Sequence, residues 1–243
     1  SFRKIIANAS GSCVEIDTAG EMRYNATGLG RFLHTGVPLE LGLGMPFVRK
    51  RMKNDHPGIG MEERLYPDED IAIGPCWLAD DQWSSLAKRS AWLEHHLRVF
   101  TQAKRRCHFT VHYKDRSDHT EVLQEYRLMR GTLHIHSRVQ LRQRSLRRTA
   151  FTVPLLVSDG TSESAIEGPG NGQVGISYKG CRYTITFDPR LSASIETRAI
   201  ANRNGIYRVL RLETPGNEIG VKLALGANRA LESRKARKGG VSE

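Results

Sequence analysis

Apolar and polar residues alternate with a period of two from Cys107 onward, and this alternation constrains the fold more than any other feature of the sequence. Within residues 132–141, for example, Leu133 and Ile135 fall on one face of an extended chain. Strong turn formers such as Lys179-Gly180 separate the alternating segments. Many strands with hairpin-length connections are typical of an all-β fold rather than of βαβ units, so we predict a large antiparallel β-sandwich.

The alternation predicts nine strands between residues 107 and 227, the segment that we assign to the sandwich. They are residues 108–113, 121–129, 132–141, 149–157, 172–178, 182–187, 194–200, 207–213 and 218–225. Residues 228–243 are basic and poor in apolar side chains, and we expect a frayed tail there.

The first 106 residues are less regular, and we predict a loop-rich, glycine-punctuated segment that packs on the sheet. Glycines and prolines between residues 28 and 60 exclude a continuous helix there. Residues 12–16 fit a strand. Residues 80–100 have the best helical pattern, although a strand with irregular edges fits the same apolar positions. The fold therefore contains at most one or two short helices, and a loop-rich segment of this length is typically functional or docked against something else.

Lysine and arginine outnumber aspartate and glutamate by 37 to 26, which gives the chain a net charge of +11. Between Arg98 and Arg148 there are thirteen basic and four acidic side chains, so the local net charge is +9. This excess indicates an anionic partner, either an acidic polysaccharide, a nucleic acid or a membrane surface. The alternative is a solvated basic face that only keeps the protein soluble.

Nucleic acid ranks below polysaccharide as the partner. Aromatic residues make up only 7% of the chain, and the basic segments lack the interleaved aromatic side chains on which single-stranded nucleic acid stacks. The sequence contains no helix-turn-helix, zinc-finger or RNP signature. It also lacks the phosphate-binding motifs GxxxxGKS and GxxxxGKT, and Gly28-Leu29-Gly30 lacks the third glycine of a dinucleotide fingerprint. We therefore expect no nucleotide cofactor.

No apolar run approaches the ~20 residues that cross a bilayer, so we expect a soluble chain without a membrane span. Four cysteines, far apart in the sequence, exclude a zinc ribbon but leave one or two long-range disulfides open. They leave the compartment open as well, with a secreted or periplasmic location favoured. Because the chain starts at Ser1 without an initiator methionine, we expect a processed form or a piece of a longer protein.

The first candidate site is residues 21–34, which hold a phenol, an amide, two guanidinium groups and an imidazole. Such a set suits β-elimination on a uronic acid, which needs neutralisation of the carboxylate, removal of the C5 proton and protonation of the leaving oxygen. We assign substrate binding to Asn25 and Arg31, and proton transfer to Tyr24 and His34. The alternative is structural: Tyr24 packs, Asn25 adopts a left-handed turn and Arg31 is solvated.

The second candidate site is a metal site. All nine histidines lie between His34 and His136. His108 and His112 share one face of a predicted strand, and His134 and His136 share one face of a nearby strand. If these strands form a meander, three or four imidazoles converge on one ion, and zinc accepts such ligands at about 2.0–2.1 Å. The alternative is a set of solvent-facing histidines on the polar side of a half-buried sheet.

The third candidate site consists of arginines. On a single strand, Arg138, Arg142 and Arg144 share one face and form a ladder. Guanidinium groups grip carboxylates or sulfates through charge-assisted hydrogen bonds. Such a ladder suits the binding of an acidic polysaccharide without any catalysis.

Residues 11–18, 24–31 and 36–42, together with the many-stranded remainder, resemble the C-terminal β-sandwich portion of polysaccharide lyases of the heparinase II/III type. Proteins of that kind join an N-terminal α/α toroid to a C-terminal sheet domain, cleave acidic polysaccharides by elimination, and sometimes hold a zinc ion in the sheet domain. The sequence itself lacks the helices of a toroid. The resemblance therefore implies the sheet part of a bipartite enzyme, with its site at an interface with a helical toroid domain or chain.

We therefore predict the sheet domain of a carbohydrate-active enzyme that binds and cleaves an acidic, uronate-containing polysaccharide by β-elimination. One alternative is a non-catalytic module that binds carbohydrate or another polyanion. A further alternative is a structural β-sandwich whose basic surface docks a partner.

Overall fold

The computed structural model describes residues 4–20, 25–44, 72–89, 93–202 and 204–227. They form seventeen β-strands, paired antiparallel, and within these ranges the helical structure is a single 3-10 turn at Leu39–Gly42. The predicted all-β antiparallel sandwich is therefore confirmed. In chain order the strands are β1 (Lys4–Ala9), β2 (Ser12–Asp17), β3 (Gly28–His34), β4 (Gly74–Ala79), β5 (Gln82–Ser85), β6 (Leu93–Ala103), β7 (Arg106–Asp115), β8 (Thr120–Met129), β9 (Thr132–Leu141), β10 (Leu146–Ser158), β11 (Ala165–Gly170), β12 (Gln173–Tyr178), β13 (Cys181–Phe187), β14 (Ser192–Ile195), β15 (Ile200–Asn202), β16 (Gly205–Thr214) and β17 (Glu218–Ala227).

The strands form three sheets. The first has three strands in the order β1-β2-β3. The second has six, in the order β14-β16-β10-β4-β5, with β15 also paired to β16. The third has eight, in the order β11-β12-β13-β17-β9-β8-β7-β6. In this sheet β6 to β9 form a meander of consecutive hairpins. Strand β17 also pairs with β9, although the two are distant in sequence: Glu218 lies opposite Arg138, which is 80 residues earlier in the chain.

Alternation along the strands of the eight-stranded sheet sends one set of side chains into the core. In β7 the buried residues Phe109, Val111 and Tyr113 alternate with less buried ones, and β8, β9, β13 and β17 follow the same pattern. Strand β10 of the six-stranded sheet packs over β9 and β17, with Phe151 and Val153 fully buried. The main core thus lies between these two sheets, as in a sandwich.

The three-stranded sheet lies over the part of the eight-stranded sheet formed by β7 and β8. Val14 and Phe32 belong to the same buried apolar cluster as the core residues of the two larger sheets. A hydrogen bond from the Gly131 N–H to the Oγ of Ser12, at 2.7 Å, also joins the β8–β9 turn to β2. The three sheets therefore share one apolar core.

Residues 80–100 do not form the helix that their apolar spacing suggested. Asp80 and Asp81, with φ of 49° and 61°, form the turn of the β4–β5 hairpin, and β6 begins at Leu93. Strand β6 carries a register shift against β7, so the alternative of a strand with irregular edges is the one that forms.

The segment before residue 107, which we predicted to be loop-rich, contributes six strands. The predicted boundary between residues 106 and 107 falls at the start of β7. The segments on either side of this boundary therefore share the eight-stranded sheet. The single strand predicted at residues 194–200 is two separate strands, β14 and β15. Strand β11 lies where Gly168-Pro169-Gly170 predicts a turn. The other strands predicted after residue 107 are confirmed, with small differences at their ends.

Tyr24 and the expected basic tail at residues 228–243 lie outside the described residues. All four cysteines are free thiols, so the long-range disulfides that the sequence left open are not formed. In the described part of the chain, no helix has the length and the hydropathy needed to cross a membrane.

Candidate functional site

The eight-stranded sheet has a second face, opposite the core, which we call the outer face. It is formed by the side chains of β6, β7, β8, β9 and β17 that alternate with the core residues. All of its charged residues and histidines are half-buried or exposed. These residues are Glu94, His96, Arg98, Arg106, His108, His112, Lys114, Glu121, Glu125, Arg127, His134, His136, Arg138, Glu218 and Lys222.

The four histidines assigned to a zinc site all lie on the outer face, but they do not converge. Strand β8 runs between β7 and β9, so Arg127 stands directly between His108 and His134. Adjacent strands lie about 4.8 Å apart, so two strand spacings separate those imidazoles. Among the residues that the structure describes, no three potential metal ligands are grouped closely enough to hold an ion. Zinc binding stays a prediction.

The outer-face carboxylates of β8 have fixed partners. Oε1 of Glu125 lies 2.7 Å from Nε2 of His108 and 2.6 Å from a guanidinium nitrogen of Arg127. Burial alone would raise the pKa of Glu125, but hydrogen bonds from Arg127 and His108 outweigh it and hold that pKa below its ordinary value. Oε2 of Glu121 lies 3.0 Å from Nε2 of His112. Both carboxylates are therefore engaged by the nitrogen atoms of neighbouring side chains.

A groove of about 480 Å³ crosses β8, β9, β17 and the end of β13 on the outer face. Arg127, His134 and Lys222 stand in one row across three adjacent strands. Gly220, which pairs with His136, has no side chain and widens the groove beside that row. Burial lowers the pKa of His134, and the charges of Lys222 and Arg127 lower it further. The groove is thus a cationic recess in the sheet surface.

The predicted arginine ladder is not formed, because β9 ends at Leu141. Arg138 lies on the outer face of β9, whereas Arg142 and Arg144 lie in the irregular connection to β10. Each has a carboxylate within reach: Glu218 at 2.5 Å from Arg138, Glu121 at 2.6 Å from Arg142, and Asp80 at 3.5 Å from Arg144. A substrate-binding role for these three arginines stays a prediction.

The residues assigned to β-elimination are not brought together within the described residues. Asn25 donates a hydrogen bond to the carboxylate of Asp17. Arg31 and His34 are three residues apart on β3, so their side chains lie on opposite faces of that strand. Nε of Arg31 lies 3.8 Å from Oε2 of Glu15 on the exposed face.

His34 lies on the other face of β3, at the junction with the eight-stranded sheet. Its Nδ1 is 3.0 Å from the Oγ of Ser12, which also accepts the hydrogen bond from the Gly131 N–H. This contact fixes the orientation of the imidazole ring through Nδ1. The same arrangement also serves a structural role, because it ties β3 to the β8–β9 turn through Ser12.

Two of the glycines after residue 28 allow the chain to approach itself closely. A Cβ at Gly42 would overlap the carbonyl oxygen of Phe32, and a Cβ at Gly44 would overlap that of Leu29. Only glycine fits such a close backbone approach. The Gly44 N–H also donates to the carbonyl oxygen of Gly30 at 2.9 Å. At these positions the glycine content reflects packing of the segment against β3.

The sequence did not reveal that Arg127, Gly220 and Lys222 belong to one site. The period-two alternation places each of them on the polar side of its strand, and that signal was available. Their proximity, however, depends on the pairing of β17 with β9, two strands that are distant in sequence. No local pattern reveals such a pairing.

No protein-family model matches the chain, and no curated protein matches it in sequence. Solved structures do match it. Two structures of heparinase III superimpose with TM-scores of 0.60 and 0.59 at 6% identity, covering 95% of this chain and 36% and 37% of theirs. The alpha-N-acetylgalactosaminidase NagBb from Bifidobacterium bifidum, in complex with GalNAc, has a TM-score of 0.53 at 11% identity, covering 96% of this chain and 38% of its own.

This chain spans little more than a third of the length of the structures that it matches. Identities of 6% to 11% are too low to carry residue roles across, so the likeness shows the fold alone. At that level, a distant structural resemblance to heparinase III is confirmed.

Proposed function

We propose that this chain is the sheet domain of a carbohydrate-active protein and that it binds an acidic polysaccharide on its outer face. The observation that carries the proposal is the groove on that face, because it combines a concave surface with a row of cationic and imidazole side chains. The names of the matched structures, heparinase III and alpha-N-acetylgalactosaminidase, support a carbohydrate as the ligand class.

The charge of the outer face favours an acidic polymer over a neutral one. Six lysines and arginines and five histidines stand on it against four glutamates. Each glutamate is paired with a cation of this face or of the connections beside it, as Glu218 is with Arg138 at 2.5 Å. The remaining positive charge is therefore available to carboxylate or sulfate groups, and such binding weakens as salt screens it.

Binding assays with charged and neutral polymers test this proposal. We expect the full chain to bind polygalacturonate or heparin at low salt, to release them at high salt, and not to bind neutral dextran. Replacing Arg127 and Lys222 together by alanine should weaken binding about tenfold or more, because the groove then loses both of the cations that flank His134. Replacing Arg147 and Arg148 by alanine is the matched control: the same charge is lost from β10, and binding should stay within about twofold.

Two results would contradict the proposal. One is an equal loss of affinity in both double variants, which would indicate non-specific attraction to net charge. The other is the absence of binding to every acidic polymer at low salt.

Cleavage of the polymer by β-elimination is the second candidate function, with Tyr24 and His34 as proton-transfer residues and Asn25 and Arg31 as substrate ligands. The observation that favours it is the fixed ring of His34, whose Nδ1 lies 3.0 Å from the Oγ of Ser12. A site of this kind would be completed by a partner domain, since this chain covers only 36% and 37% of the two heparinase III structures.

The unsaturated product of uronate elimination absorbs in the ultraviolet, so turnover can be followed directly. We expect product from the chain joined to any region that adjoins it in a longer protein, and its loss in Tyr24→Phe with polymer binding retained. Product formation that persists in both Tyr24→Phe and His34→Gln would contradict these assignments. No product from any uronate polymer would reject the lyase activity and leave the binding function.

A further inference from the structure

Arg127, His134 and Lys222 occupy the row of the outer face that borders the groove. They come from β8, β9 and β17, and in both strand pairings they are direct cross-strand partners of one another. Directly opposed residues have Cβ atoms about 5 Å apart, so one small anion placed over His134 is within reach of both flanking side chains. On β13, Thr186 continues the row with a hydroxyl group opposite Lys222.

Two members of this row, His134 and Lys222, have no competing ligand. Within the described parts of the chain, neither Lys222 nor His134 has a hydrogen-bond or ion-pair partner. Arg127 differs, because its guanidinium group holds Oε1 of Glu125 at 2.6 Å. Glu125 in turn is held by His108 on its far side, at 2.7 Å. The carboxylate is therefore drawn toward β7, away from Lys222, and the β17 side of the groove keeps its positive charge.

The shape of the groove matches this charge distribution. Gly220, two residues before Lys222 on the same face, leaves an open floor beside His136. A Cβ at Gly220 would lie only 3.5 Å from the imidazole of His136, so any larger side chain would fill this space. A volume of about 480 Å³ is sufficient for one or two sugar units.

We propose that this groove is a subsite for one acidic sugar unit, in which Lys222 and His134 bind its carboxylate or sulfate group and the sugar ring lies over Gly220. The proposal rests on the proposed function and deepens it, since it locates one subsite on the outer face and gives each residue a role. Arg127 forms the second cationic wall, and together with His108 it compensates the charge of Glu125, which also lines the groove.

The subsite makes binding dependent on pH. The charged and titratable groups around His134 are Arg127 and Glu125 on β8, His136 on β9 and Lys222 on β17. In the free protein burial lowers the pKa of His134, and the flanking cations lower it further by disfavouring protonation. A bound anion reverses this effect, so binding takes up a proton and strengthens as the pH falls toward the pKa of His134 in the complex.

The test has two arms on the full chain. In the first, the pKa of His134 is measured by NMR with glucuronate, with glucose 6-sulfate and with glucose. We expect either or both anions to raise the pKa of His134 and glucose to leave it unchanged; comparing the two anions distinguishes a carboxylate from a sulfate ligand. In the second arm, Lys222→Ala should weaken polygalacturonate or dextran sulfate binding about tenfold. His134→Gln should remove most of the pH dependence.

Lys104→Ala is the matched control, because it removes an exposed lysine from the β6–β7 turn, outside the outer face and at a distance from the groove, and we expect less than a twofold change. Lys222 is exposed, so its replacement does not threaten the fold. If wild type binds the polymers but Lys222→Ala binds as tightly and the pKa of His134 does not move, the subsite is wrong and the proposed function stands. If wild type binds none of them, the proposed function fails together with the subsite.

Discussion

Individual buried tyrosines differ in whether their hydroxyl groups are satisfied, and the difference follows from the neighbours that the strand register supplies. Oη of Tyr126 donates to Oε1 of Gln124 at 2.8 Å, and Nε2 of Gln124 donates to Oγ of Ser137 at 3.2 Å. Gln124 and Ser137 are direct partners in the β8–β9 pairing. The buried hydroxyl of Tyr183, by contrast, has no hydrogen-bond partner among the described residues.

Replacing each tyrosine by phenylalanine should therefore give opposite results. Tyr126→Phe should lower the free energy of unfolding by about 1 kcal/mol or more, because it leaves a buried amide oxygen without its donor. Tyr183→Phe removes a hydroxyl that is buried without a partner, so the free energy of unfolding should stay equal or rise. Urea denaturation of the two variants, each the control of the other, measures both changes. A larger loss in Tyr183→Phe would contradict the assignment.

The period-two pattern predicted that Leu133 and Ile135 share one face of β9, and both are buried in the core. It did not predict that Gln124 and Ser137 would share a buried hydrogen bond, because polar residues on the core face break the pattern. Their contact depends on the register between two strands, and the register is set by the intervening turn.

At the scale of elements, one buried arginine joins the segment after β5 to the turn between β7 and β8. The guanidinium group of Arg89 lies 2.6 Å from Oδ2 of Asp115 and 2.7 Å from Oδ2 of Asp118. Its side chain is only 17% exposed, and that of Asp115 only 4%. Removing one member of such a pair leaves an uncompensated buried charge, which costs several kcal/mol.

Arg89→Ala should therefore lower the free energy of unfolding by about 3 kcal/mol at neutral pH. The matched control is Arg116→Ala, because Arg116 pairs with Glu94 on the surface with 71% of its side chain exposed. Exposed pairs contribute less than about 1 kcal/mol, so the control should change little. Thermal or urea unfolding measures both, and equal losses in the two variants would contradict the difference.

The ion pair between Arg89 and Asp115 also predicts that the free energy of unfolding decreases at acid pH. Burial alone would raise the pKa of Asp115, but hydrogen bonds from Ser117 and Arg89 together lower it below its ordinary value. A folded-state pKa below the unfolded-state value means that Asp115 stabilises the fold fully above about pH 4 and loses this contribution as the pH falls through the folded pKa. Arg89→Ala should lose less stability than wild type over that range. An unchanged acid profile would argue against this role.

The elements were predictable where one strand alternates against one core, as in β7 to β9, and less so where two short strands are close in sequence. Trp83 and Leu86 have the three-residue spacing of a helix, yet Trp83 lies on β5 and Leu86 follows its end. The turn at Asp80 and Asp81 divides the segment before a helix can form. Strand β3 was likewise not predicted, because glycines at positions 28 and 30 interrupt its pattern of side chains. Its backbone lies against Gly42 and Gly44.

At the scale of the whole molecule, the candidate site arises from the topology and not from any one segment. The groove combines β8 and β9, which are neighbours in sequence, with β17, whose Glu218 pairs with a residue 80 positions earlier. The net charge of +11 and the cationic region between Arg98 and Arg148 indicated an anionic partner. They did not indicate the groove, because local acidic partners neutralise Arg138, Arg142 and Arg144.

The most direct test of the account is the footprint of a bound acidic polysaccharide on the full chain. Hydrogen–deuterium exchange or NMR shift mapping, recorded at low salt with and without polygalacturonate or heparin, reports where the polymer lies. The account predicts that the changes concentrate on the outer-face strands β8, β9 and β17 around Gly220 and disappear at high salt. Changes confined to the three-stranded sheet, or to the connection that holds Arg142 and Arg144, would contradict it.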